Sequence, residues 1–143
     1  MSNQEVARWF AIAVGVVLVL IGLLGFINNP IVGDPSPPNP SSPLFVTGAM
    51  HNIVHLITGS IALYIGFVLK GDAQANALIG FGALYAVVLL ATLVSPNLFG
   101  ILGDNRYGVN ILDHVLHLAL AALSIGIGYW ARGRGDTVVT RRT

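Results

Sequence analysis

Four apolar runs divide the chain, near Ala7–Ile27, Phe45–Leu69, Ala77–Leu98 and Tyr107–Ala131. Each is long enough to cross a hydrocarbon core of about 30 Å, which takes roughly 20 apolar residues in a helix. The second and fourth runs also carry a stripe of small and polar residues at alternating steps of four and three. In the second run it reads Gly48, Asn52, His55, Gly59, Ala62, Gly66. In the fourth it reads Asn110, His114, His117, Ala121, Ser124, Gly128. That spacing marks one face of a helix. Lipid gives helices no hydrophobic reason to associate, so their interfaces favour small residues that let backbones approach and polar residues that bond across. The two stripes are therefore expected to form a structural polar seam, facing each other or a common centre.

The same two runs resemble each other. A shift of 62 residues carries His55-Leu56 onto His117-Leu118 and Ile65-Gly66 onto Ile127-Gly128. The pattern predicts an all-α polytopic membrane protein of four transmembrane helices, built as two similar hairpins. Because the second and fourth helices run the same way, the pairs would be related by a pseudo-two-fold axis along the membrane normal. One transmembrane domain is expected over residues 1–143, with a Pro-rich loop at 28–43 and a basic tail at 132–143.

Composition supports the membrane reading: 55% of residues are hydrophobic and 9% charged, against roughly 25% charged in a soluble domain. Of the seven Lys and Arg residues, Arg8, Lys70, Arg132, Arg134, Arg141 and Arg142 fall on one side of this topology and Arg106 on the other. The positive-inside rule makes the six-residue side cytoplasmic, with both termini there. Trp9 and Trp130 fall near the cytoplasmic ends of the first and last helices, where amphipathic rings favour the interface. The first run exceeds a signal peptide's apolar stretch and precedes no small-residue cleavage site, so it is expected to remain as an anchor. The loop Asn28–Pro43 holds six of the seven prolines and is expected to be an extended cap on the outer face. The arginine-rich tail suits topology and anionic lipid rather than nucleic acid. With no cysteine, thiol and iron–sulfur chemistry are excluded.

All four histidines fall inside apolar runs, as His51-Asn-Ile-Val-His55 and Asp113-His114-Val-Leu-His117. Ionisable side chains are costly in hydrocarbon, so such a group marks a functional site by default. At 1.5 Å rise per residue, His51 and His55 lie about 9 and 15 Å along the second run, and His114 and His117 about 10 and 15 Å along the fourth. They share one level in the outer half.

Three readings of the group follow. Imidazoles at i, i+4 and i, i+3 present one face to a Zn, Cu, Fe or Ni ion, with Asp113 as a further ligand or as the partner of a ring N–H. His55 and His117, at equivalent repeat positions, could instead be axial ligands of haem or another tetrapyrrole, with Gly59 and Ala121 leaving room one turn below. In the third reading the polar residues only bond one another, at about 0.6 kcal/mol per interhelical bond, and the chain is an accessory or scaffold subunit of a larger membrane complex. Tyr85 is read as an interface or core aromatic, and Thr58 as bonding back to its own helix. No Ser-His-Asp order, phosphate loop or carboxylate pair is present, so no catalytic residue is assigned and a non-enzymatic role is favoured. The bilayer, and other membrane subunits in the scaffold reading, are the expected partners.

Ala7-Arg8-Trp9-Phe10 with Gly15, Leu23-Leu24-Gly25-Phe26, Leu44-Phe45, His51-Asn52-Ile53-Val54-His55-Leu56, Asn110, and Asp113-His114-Val115-Leu116-His117-Leu118 resemble a bacterial family of small four-helix membrane proteins catalogued as a domain of unknown function. The HNxxHL and DxxxHL elements carry most of the likeness, which spans about Ala7 to Ala131. The resemblance implies a fold and a location in the bacterial inner (plasma) membrane, and no activity. Where that family commonly has asparagine after the aspartate, this chain has His114, which makes a four-histidine set particular to this member.

Overall fold

The structure, a computed structural model, describes residues 1–27, 29–33, 43–101 and 109–132. Four helices account for most of them: α1 (Asn3–Leu24), α2 (Ala49–Phe67), α3 (Gly71–Val94) and α4 (Ile111–Ala131). Each is long and apolar enough to cross a membrane. Two short strands, β1 (Val32–Gly33) and β2 (Phe45–Val46), pair in parallel between α1 and α2.

Local chemistry sets the ends, and several differ from the boundaries read from hydrophobicity. α1 begins four residues earlier than its apolar run. Ser2 and Glu5 close a reciprocal capping box there, which satisfies two backbone donors that apolarity does not report. α2 begins four residues later, because Phe45 and Val46 are taken by the strand pair. α3 begins at Gly71, whose φ of 57° turns the chain sharply out of α2. α4 begins at Ile111, with Asn110 accepting from the backbone of Leu112 and Asp113 and Asp113 bonding back to the Asn110 N–H. The remainder of the 28–43 loop, Tyr107 and the tail beyond Arg132 lie outside the described residues.

α1 packs along α2 and α3 along α4. The contacts are made by glycines. A Cβ built on Gly66 would lie 2.6 Å from Ile12 Cγ1 and 3.1 Å from the Arg8 carbonyl. One on Gly128 would lie 2.7 Å from Ile79 Cγ1 and 2.8 Å from the Ala75 carbonyl. Likewise a Cβ on Gly15 would lie 2.7 Å from Leu63 Cγ, and one on Gly82 2.7 Å from Ile125 Cγ1. Gly66, Gly128, Leu63 and Ile125 follow the 62-residue shift, and the residues they meet follow a second shift, of 67 residues: Arg8 to Ala75, Ile12 to Ile79, Gly15 to Gly82. The same pair of close approaches is therefore built twice.

This geometry corrects the expected seam. Gly59 meets Val19 and the Gly15 carbonyl on α1, and Gly66 also faces α1, while Gly128 faces α3. The small residues close each hairpin on itself. No close backbone packing joins α2 to α4 among the described residues. Small residues go where backbones come closest, which is within a hairpin of adjacent antiparallel helices.

The two hairpins meet through α1 against α4 and α3, and α2 against α3. A core of Ala7, Leu18, Ile65, Leu78, Phe81 and Leu120 lies between them. At one end the Asn3 amide donates to the Trp130 carbonyl, and Arg8, Lys70 and Arg132 sit at that same end. Outward faces are aliphatic, with Val17, Leu20, Ile57, Val87, Leu90 and Leu123 all exposed, a surface compatible with lipid.

Candidate metal centre

His51 and His55 lie one turn apart near the start of α2, and His117 in the second turn of α4. Both helices enter from the end opposite Arg8, Lys70 and Arg132, so the three rings converge at one level between the hairpins. The His51 and His55 ring centroids are 4.4 Å apart, and those of His51 and His117 6.3 Å. One nitrogen from each ring lies within 4.8 Å of the others. The three side chains are 4%, 3% and 3% exposed. Three buried imidazoles that close together could hold a metal ion.

Their hydrogen bonding distinguishes them further. Neither His55 ring nitrogen has a hydrogen-bond partner, nor has His117 Nδ1. Buried polar atoms are almost always bonded, and each exception calls for an explanation. A neutral imidazole has one lone-pair nitrogen, and a cation among three of them would engage all three.

A cavity of about 100 Å³ opens beside the rings, lined by all three imidazoles and by Val54, Thr58, Leu84, Tyr85, Val88 and Leu98. Thr58 Oγ1 lies 2.8 Å from the Val54 carbonyl and 3.0 Å from the Tyr85 hydroxyl. Thr58 has a single proton; with that proton on Val54, Tyr85 donates to Thr58. The Tyr85 ring stands 5.7 Å from that of His117. Leu98 reaches the cavity from a turn in which its φ is 50° and that of Phe99 56°. Non-glycine residues adopt this left-handed conformation at a cost of about 1–2 kcal/mol each. The Val46 backbone of β2 bonds both His51 and Asp113, tying the starts of α2 and α4 together.

Of the five side chains expected to ligate, the structure brings together His51, His55 and His117. His114 departs from that expectation: its Nδ1 lies 3.4 Å from Thr92 Oγ1 on α3. The two repeat shifts give the reason. His114 is the equivalent of Asn52, and Thr92 of Gly25; Asn52 lies directly on Gly25. Both side chains fill the space toward their own hairpin partner. Asp113 is buried, but its carboxylate accepts from the Asn110 and Val46 backbone and stands outside the group.

The remaining stripe residues have other roles. Asn110 caps α4 and donates to the Leu44 carbonyl at 2.8 Å. Gly48 is the N-cap position of α2, and Gly59 closes the α1–α2 contact. Ala121 presents its carbonyl 2.8 Å from a Cβ built on Gly82. Ser124 is fully buried with its hydroxyl unbonded. Tyr85, Val46 and Leu98 were not legible as neighbours of the histidines. For Tyr85 one signal existed: the 67-residue shift pairs it with Leu18, so the second hairpin has a phenol where the first has an aliphatic.

Four membrane-length helices enclosing a buried polar cluster define a polytopic helical membrane protein. The family model described as "Domain of unknown function (DUF4383)" matches residues 8–130, and the chain belongs to that family. No curated protein and no solved structure matches it.

Proposed function

We propose that this protein binds a single transition-metal ion through His51, His55 and His117, with one coordination position left open. The observation that carries the reading is the convergence of three buried imidazoles from two helices, with both His55 ring nitrogens and His117 Nδ1 lacking other partners. A tetrahedral ion with bonds of about 2.0–2.1 Å holds its ligand nitrogens about 3.3 Å apart. From separations of at most 4.8 Å, the rings close by on the order of 1 Å, within side-chain adjustment. All-imidazole ligation suits zinc, copper, iron or nickel. The tetrapyrrole alternative fits less well. A cavity of about 100 Å³ is below the roughly 300–1,000 Å³ of ordinary small-molecule sites, and His51 packs on His55 where a macrocycle would pass.

The six-to-one charge bias supports a cytoplasmic location for both termini and puts the histidine end on the outer side of the bacterial plasma membrane. The recurring glycine contacts support a pseudo-two-fold relation between the hairpins. His55 and His117 would be a related pair, with His51 and Asp113 as the pair in which the repeats diverge.

The test is metal analysis and calorimetric titration of the protein purified in mild detergent. A stoichiometry of one ion per chain is expected. His51→Ala, His55→Ala and His117→Ala should each weaken binding by more than the roughly 10–100-fold that loss of an outer-shell partner costs. A wild type that is metal-free and unresponsive to added Zn²⁺, Cu²⁺, Ni²⁺ or haemin would overturn the reading and leave the cluster to a scaffold role.

A further inference from the structure

We propose that the cavity beside the imidazoles is a binding site for a small monoanion, hydroxide included, which takes the coordination position the histidines leave open. This rests on the metal reading above and adds the class of external ligand to it.

Three observations lead there. All three imidazoles line one cavity, whose other walls are Val54, Thr58, Leu84, Tyr85, Val88 and Leu98. An ion held by the rings would therefore lie beside that space. At about 100 Å³, the space is smaller than the about 150 Å³ cavity that accepts benzene. It admits a ligand of a few atoms and excludes larger ones.

Charge selects among such ligands. Histidines ligate in the neutral form, so a divalent ion here would keep its full charge. Among the described residues no carboxylate lines the cavity, and Asp113 is committed to the backbone of Asn110 and Val46. An uncompensated charge among apolar walls is costly. An anion on the ion itself is the nearest compensation available, and a zinc-bound water loses its proton near neutral pH for the same reason. The described walls also offer no rival cation, and with the Thr58 proton on Val54, Tyr85 directs its own to Thr58. The ion is then the feature of the cavity that attracts an anion.

Cobalt(II) substitution with azide as probe separates this proposal from the metal reading. Visible ligand-field bands on Co²⁺ loading report the three-histidine site, and their absence would remove the metal reading itself. On loaded wild type, azide should shift those bands saturably. Val88→Phe and Leu84→Phe fill the cavity without touching a metal ligand. They should keep the cobalt bands and weaken the azide response by about tenfold or more, because a filled cavity cannot take both groups. Cobalt bands that azide leaves unmoved would overturn the proposal, as would filled variants that respond like wild type. So would an intense phenolate-to-metal band on Cu²⁺ loading that is lost in Tyr85→Phe, since Tyr85 would then hold the open position.

Discussion

Two histidines three residues apart on one helix have different surroundings. His117 is 3% exposed with Nδ1 unbonded, whereas His114 approaches the Thr92 hydroxyl and is only half-buried. His114→Ala should therefore leave metal stoichiometry unchanged in the titration that His117→Ala abolishes. Equal losses in both would return His114 to the centre. Asn110 carries a different load, since one side chain caps α4 and holds the Leu44 carbonyl. Replacing an N-cap Asn with Ala costs about 0.5–2 kcal/mol. Asn110→Ala should lower the free energy of unfolding in detergent by an amount in that range, and weaken metal binding only slightly.

Among the helices, backbone proximity within each hairpin governs tolerance. Gly59 and Gly128 have no room for a Cβ, whereas a Cβ on Gly126 meets nothing within 4 Å. Overpacking a close contact costs about 1–3 kcal/mol or more. Gly59→Leu and Gly128→Leu should thus destabilise the protein strongly, while Gly126→Leu should be silent, as should Ile57→Leu, at a residue that is 55% exposed. Thermal aggregation of detergent-solubilised variants reads the difference. If Gly59→Leu were harmless, α1 and α2 could not pack as closely as the structure has them. The histidine stripe fared differently from the glycine stripe because polar side chains reach across a gap that backbones do not close.

For the molecule as a whole, the distribution of charge sets orientation. Arg8, Lys70 and Arg132 gather at one end of the bundle and the three imidazoles at the other. If the basic end is cytoplasmic, a cysteine at Ala73 will be protected from an impermeant thiol reagent added to intact cells. Cysteines at Ser36 and Asn105, which lie outside the described residues, will label. Labelling at Ala73 alone would invert the topology and place the histidine cluster on the inner side.

The sequence by itself determined four membrane-length helices and the repeat linking α2 to α4, because a bilayer imposes length and apolarity on every spanning segment. It also marked the histidines, since an imidazole in an apolar run is conspicuous. Only the tertiary structure decided where each polar residue points. A stripe with steps of four and three defines a face about 100° wide, and at that width His114 and His117 share a face while meeting different helices. The counterpart repeat in α1 and α3 was hidden for a related reason. Its signal is Gly15 and Gly82, Ile12 and Ile79, a handful of identities that gain meaning once Leu63 and Ile125 are seen against them. The strand pair and the turn at Leu98 depend on contacts between distant segments, which hydrophobic periodicity does not encode. Those contacts bring Val46 and Leu98 to a site whose three imidazoles come from two helices, with His117 lying 62 residues beyond His55.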